Sequence, residues 1–542
     1  MQEIRLIRPQ ELKARLRSPA ECALIDVREE GEFSESHLLL ASCIPLSHLE
    51  LRIRRMVPRN DVFLVLVDGE GGTGGLADRA ARLLGDNGYS DVHVLAGGTA
   101  GWQQAGYELF SGINVPSKAF GEIVEHQDGT PSISADELSA MLKGEAKPVI
   151  LDSRTFEEYA LATIPGAISC PGGELVHRFK EAVASPDRLV VVNCAGRTRS
   201  IIGAQSLIAA GVPNRVVALR NGVMGWRLAG HSVEANAGRT VQAPAAPDAA
   251  ALPPAVPELR RNSGLTEIDA RQAAAMVAEP QRTTYLIDIR SPAEYRSGHL
   301  PDAVNAPGGQ LIQATDAYMA TRNARIVLVD DDGTRASMTG WWLARMGWPE
   351  IYACRIGQEA ALVSGPMPRL MLAEAPQDVR TISAADLARQ LGEGNVVVLD
   401  LSDSLAYRRG HIPGAWFVVR ARLRDDLPSV PIPPRSGIVV VAPDDALARL
   451  AARDVAGIAG RQVAVLEGGM AAWIAQGRAL ESGHLRMASA PTDVWYRPSE
   501  RPSGVEAAMQ EYLSWEIGLV ERVVKDGDAP FLKLIDAGGQ HG

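Results

Sequence analysis

Val190-Val191-Val192-Asn193-Cys194-Ala195-Gly196-Arg197-Thr198-Arg199-Ser200 reads as a strand, a short loop and the start of a helix. The β-branched run predicts a buried strand, and it ends at the thiol of Cys194. One glycine and two arginines fill the loop, and a helix-like segment opens at Ser200. A thiol placed there faces backbone N–H groups and the positive end of a helix dipole, both of which favour thiolate.

Working outward, the surroundings of this stretch recur three more times. A strand ending in Asp appears as Leu24-Ile25-Asp26-Val27-Arg28, Ile150-Leu151-Asp152-Ser153-Arg154, Leu286-Ile287-Asp288-Ile289-Arg290 and Val398-Leu399-Asp400-Leu401-Ser402. A turn follows, as in Gly298-His299-Leu300-Pro301-Asp302-Ala303 and Gly410-His411-Ile412-Pro413-Gly414-Ala415; in the second unit Thr163 replaces His. Three units close on a Gly-rich turn before Trp102, Trp226 or Trp473. Helix-start patterns precede the Asp strands, with Ser134 and Ser383 as N-caps. Short apolar strands alternating with helices imply an α/β fold with a mainly parallel central sheet in each unit and helices on both faces. Ligand sites in such sheets lie beyond the carboxyl ends of strands, where Cys194 sits.

A chain of 542 residues is too long for one hydrophobic core, so three to five domains are expected. Its 46% hydrophobic and 22% charged residues are those of a soluble globular protein. The net charge of −10 argues against nucleic acid or an anionic membrane as partner. Met1 to Arg8 lacks the apolar core of a signal peptide, and runs such as Phe63-Leu64-Val65-Leu66-Val67 are too short to span a bilayer. Five cysteines in such a chain make neither a disulfide framework nor a zinc site, which predicts a cytoplasmic protein with reduced thiols. No histidine cluster or phosphate-cradling loop calls for a metal or cofactor. Nothing in the sequence specifies an oligomeric state.

The Asp-x-Arg strand, the His-x-Pro-x-Ala turn, the strand–Cys–loop–helix and the Gly-Gly…Trp ending resemble the rhodanese (sulfurtransferase) family, as four tandem modules reaching to about Gly483. The resemblance divides the chain into a rhodanese-like domain at 1–125, a catalytic one at 126–236 carrying Cys194, an Ala/Pro-rich linker at 237–262, and rhodanese-like domains at 263–375 and 376–484. A tail at 485–542 follows. The tail's helix is expected from a capping box of Ser503 and Glu506, with Val505, Met509, Leu513, Ile517, Val520 and Val524 on one face and Gly527 as its stop. The linker between the second and third modules groups the chain as two pairs in sequence order.

Carried over, the resemblance makes Cys194 the residue that holds sulfur and Ala195, Gly196, Arg197, Thr198 and Arg199 the loop whose amides surround it. Family members acting on sulfur resemble Cys-x4-Arg, which Cys194 to Arg199 matches; related phosphatases and arsenate reductases have one residue more. Aligned to the cysteine, the other modules offer Gly69, Asp331 and Pro443, none of which carries sulfane sulfur, so those three are expected to be inactive.

The implied activity is a double displacement from a donor such as thiosulfate to cyanide or a thiol, through a Cys194 persulfide. No general base is needed if the thiol is already ionised. Arg197, after flexible Gly196, points to substrate. Arg199 is a substrate contact, a brace tied to Asp152, or both. Arg154 is expected in a fold ion pair with Glu157 or Glu158. Thr198 and Ser200 either donate to the sulfur or cap the helix, with capping the simpler role for Ser200. Cys170 reads as a small core residue. The alternatives are a persulfide carrier or regulatory scaffold that hands sulfur to a protein partner, and, against the loop length, a phosphatase or arsenate reductase.

Overall fold

The computed structural model describes residues 4–244, 253–357 and 360–532. Each module is a parallel sheet flanked by helices. In the second, the strand order is Ser132–Ile133, Val216–Leu219, Val190–Asn193, Val149–Asp152, Ile168–Ser169. In the third it is Thr266–Ile268, Glu350–Arg355, Arg325–Asp330, Thr284–Asp288, Val304–Asn305. Central strands such as Val190–Asn193 are buried on both faces, which is why they read as unbroken apolar runs. Among the described residues no helix is long and apolar enough to cross a membrane.

The repeated motifs have repeated causes. Arg28, Arg154 and Arg290 each fork onto the Asp two residues earlier at 2.6 Å. The same guanidinium reaches on to a backbone carbonyl beyond the next helix (Ser36, Ala162 or Gly298), locking the strand to the turn. In the fourth module Ser402 replaces the arginine, and Asp400 Oδ2 is left buried without a hydrogen-bond partner. His37, His299 and His411 each bond through Nδ1 to the carbonyl four residues back and stack on that residue's ring. In the second module Thr163 donates to Asp152 instead, at 2.6 Å.

The chain forms two compact units. One joins Ala23–Ile113 with Arg369–Tyr496, the first module with the fourth; the other joins Asn114–Pro368 with the segment from Arg497, the second module with the third and the C-terminal helix. This corrects the grouping in sequence order. Residues 245–252 of the expected linker lie outside the described residues. The rest of that stretch is not a free connector: Val241 bonds to Ser169 and enters the core of the second module, and Val256–Asn262 is a helix with Pro257 in its first turn. Pro is tolerated there because the first-turn N–H groups have no helical partner, and Val256 and Leu259 bury the helix against the same core.

The C-terminal helix runs Val505–Asp526 and stops at left-handed Gly527, as expected. Its N-cap is Gly504, not Ser503, and no capping box forms. Its buried residues are Ala508, Met509, Leu513, Glu516, Leu519 and Val523, while Ile517 and Val524 are exposed. The expected face stepped by four residues too often; such a row rotates steadily away from a 3.6-residue stripe.

Candidate active site

Cys194 follows the last residue of the strand Val190–Asn193 and is 1% exposed. The helix after it starts at Thr198, two residues earlier than expected, with Arg197 as N-cap and no side-chain cap. Ser200 lies inside the helix and donates to the Arg197 carbonyl at 2.8 Å, so it is not the cap. Its Oγ stands 3.5 Å from Cys194 Sγ. Among the described residues the amides of Ala195, Gly196 and Arg197 donate to no backbone carbonyl. A turn from the neighbouring strand supports the loop from behind: Val223 N–H donates to Cys194 O at 2.8 Å and Met224 N–H to Ala195 O at 3.0 Å. A Cβ on Gly222 would collide with the Cys194 carbonyl, so this turn requires glycine.

The two loop arginines divide the work differently from the expectation. Arg197, expected to point to substrate, is engaged by carboxylates. Its Nε and Nη2 fork onto Glu122 at 2.7 Å each, Nη2 also pairs with Glu125, and Nη1 donates to Asn221 Oδ1 at 3.2 Å. It clamps the loop to the helix Val115–Asp128. Arg199 forks onto Glu158 at 2.6 and 3.0 Å. It does not brace Asp152: that carboxylate takes Arg154 at 2.8 and 2.6 Å, the Thr163 hydroxyl and the Asn193 amide. Arg154 is the ion-paired residue expected, but its partner is Asp152 rather than Glu157 or Glu158. Asp152 thus fixes the strand end next to Cys194 through Asn193. Thr198 donates to Glu516 at 3.4 Å. Cys170 is a buried core residue whose N–H donates to Asp152 O, the place that Ala306 holds in the third module.

Burial pushes the Cys194 thiol above its ordinary value of 9.0; Arg199 and the Ser200 hydrogen bond pull it back, and Glu516 adds to the rise. The loop's pull toward thiolate is therefore outweighed: desolvation exceeds the effect of the nearby guanidinium. Burial also works to raise Glu158, but the Arg199 charge and hydrogen bond overcome it and hold the carboxyl down at about 2. Arg199 thus stays charged beside the sulfur.

Strand register corrects the alignment of the other modules by one residue. Asp152 pairs with Asn193, Asp288 with Val329 and Asp400 with Val441. Val27 N–H meets Val67 O as Ser153 N–H meets Asn193 O. The residues matching Cys194 are therefore Asp68, Asp330 and Ala442, not Gly69, Asp331 and Pro443. Asp68 accepts from the N–H groups of Gly71 and Ala77 and so ties down its own loop. In the third module Arg335 matches Arg199 and bonds Asp330 at 3.0 Å and Asp331 at 2.6 Å, so a guanidinium sits among the acids Asp330 and Asp331.

Comparison with known proteins agrees with this fold. The Rhodanese-like domain family matches residues 8–105, 134–229, 269–360 and 383–476. A thiosulfate sulfurtransferase from Azotobacter vinelandii is 28% identical, over 36% of this chain and 84% of the relative. An HTH-type transcriptional regulator from Mycobacterium tuberculosis is 34% identical over 20% of this chain and 48% of its own length. The crystal structure of a thiosulfate sulfurtransferase from Pseudomonas aeruginosa superposes with a TM-score of 0.91 at 43% identity, covering 97% of this chain and 99% of that one. The chain belongs to the rhodanese family, in four tandem copies of its domain. It is a sulfurtransferase of that type.

Proposed function

We propose that the chain moves sulfane sulfur from thiosulfate to cyanide or a thiol through a persulfide on Cys194, in the cytoplasm, with the other three modules catalytically silent. The Cys194 thiolate attacks the outer sulfur of thiosulfate. The sulfur–sulfur bond of the donor breaks, sulfite leaves with its electron pair, and Cys194 carries the outer sulfur as a persulfide anion. The acceptor then attacks that sulfur, and the electron pair returns to Cys194. Splitting the transfer into two displacements lowers each barrier. The observation that carries the reading is Cys194 itself: a thiol at a strand end, under the open amides of a Cys-x4-Arg loop, beside the charged Arg199. Those amides and Arg199 are preorganised to stabilise anionic sulfur without rearranging. Asp152, through Asn193, and Arg197, through Glu122, hold the loop in shape.

Steady-state kinetics with thiosulfate and cyanide test this reading. Double displacement predicts parallel double-reciprocal lines, and Cys194→Ser loses on the order of 10³-fold or more in kcat. Intersecting lines, or a serine variant that retains turnover, contradict it.

A further inference from the structure

The helix Val505–Asp526 lies outside all four family matches, yet it reaches the Cys194 loop. Gly196 is buried beneath it. A Cβ on that glycine would stand 3.2 Å from Glu516 Oε2, 3.4 Å from the Tyr512 ring and 3.8 Å from Leu513. Glu516 is 2% exposed. Its Oε1 accepts from the Tyr512 hydroxyl at 2.9 Å and from Thr198, a loop residue, at 3.4 Å. Its Oε2 is buried and has no hydrogen-bond partner. Lys118 lies 5.0 Å from the Tyr512 ring and 4.6 Å from the Trp515 ring, and its charge acts on Glu516 without a hydrogen bond to Oε2. A buried carboxyl oxygen without a partner is costly. This one is aimed at the loop that holds the reacting sulfur, where a donor group on a ligand would satisfy it.

We propose that Glu516 is an acceptor-binding residue of the sulfur site, selecting a small neutral thiol, and that Tyr512 positions it. The inference rests on the persulfide reading of Cys194. The acceptor's S–H donates to Glu516 Oε2. As the acceptor sulfur attacks the outer persulfide sulfur, its proton passes to that carboxylate. A new S–S bond forms in the product, the Cys194–sulfur bond breaks, and its electron pair returns to Cys194. Cyanide attacks as an anion and has no proton to give, so it makes no use of this group.

The test is the ratio of kcat/KM for 2-mercaptoethanol to that for cyanide, with thiosulfate as donor. Glu516→Gln lowers the ratio at least about tenfold, in line with the loss of a proton acceptor. Tyr512→Phe, which keeps the ring against Lys118, lowers it less. A purely structural role lowers both acceptors together, and a ratio within twofold of wild type in Glu516→Gln overturns the proposal. Intact mass after thiosulfate alone separates the two levels. If no sulfur loads onto the wild type, the persulfide reading fails; if sulfur loads and the ratio does not move, only the role of Glu516 fails.

Discussion

In the second module the strand Val190–Asn193 runs into Cys194; in the third, Arg325–Asp330 ends on a carboxylate at the same register. Much else around the two loops is shared. Arg199 pairs with Glu158, and Arg335 with Glu294 at 3.1 Å. Both helices begin at a threonine, Thr198 and Thr334. The difference lies in where the arginine's charge goes. In the second module it faces one carboxylate and a thiol. In the third it is consumed by Asp330, Asp331, Glu174 and Glu294. Asp332 is tied to His177 at 2.9 Å. Under the proposed function the same loop is a sulfur cradle when its first residue is a thiol; where that residue is an acid it is an internal salt-bridge node.

Exchanging the arginines separates these roles. Arg199→Ala removes the guanidinium whose charge acts on the sulfur and strands Glu158; kcat with thiosulfate is expected to fall about 10²-fold. Arg335→Ala leaves several buried carboxylates uncompensated, and the compact unit of the second and third modules is expected to lose about 3–5 kcal/mol in urea denaturation while the chemistry at Cys194 is spared. Equal effects of both substitutions on kcat would break the comparison.

The pH dependence sharpens it. Burial raises the Cys194 thiol above 9.0, and only the thiolate reacts. As pH rises toward that raised value the thiolate fraction grows, so kcat/KM for thiosulfate is expected to climb about tenfold per pH unit between 7 and 8.5. Arg199 and Ser200 face the sulfur and pull the value down, whereas Glu516 pushes it up, so Glu516→Gln shifts the profile to lower pH. A plateau already reached at pH 7 would show that the thiol is ionised despite its burial. The smallest effect expected is none: Asp330→Cys in a Cys194→Ser background gains no turnover, because Arg335 remains held by Asp331, Glu174 and Glu294. Restored activity would show that the acid alone silences the third module.

The residues that made the fold legible are those with local causes. The Asp-x-Arg forks span two residues, the histidine bonds span four, and the strand ending at Cys194 needs only its own valines. What escaped is either ambiguous locally or distant in sequence. Three consecutive aspartates at 330–332 give no register; only pairing of Asp288 with Val329 fixes it. Arg154 and Arg199 each had several acids within reach, and only the folded structure assigns Asp152 to the first and Glu158 to the second. Glu122 clamps Arg197 from 75 residues away, and Glu516 reaches Thr198 from 318. No local pattern announces either, although a glutamate on the apolar stripe of the C-terminal helix was a signal. Glu516 also adds to the rise in the thiol that burial causes and that the loop alone does not suggest.

The central claim is that Cys194 alone carries the transferred sulfur. Intact-protein mass spectrometry after brief exposure to thiosulfate tests it directly, comparing wild type with Cys194→Ser. The account predicts a gain of one sulfur atom in the wild type, reversed by cyanide, and none in the variant. A sulfur adduct on Cys194→Ser would contradict it.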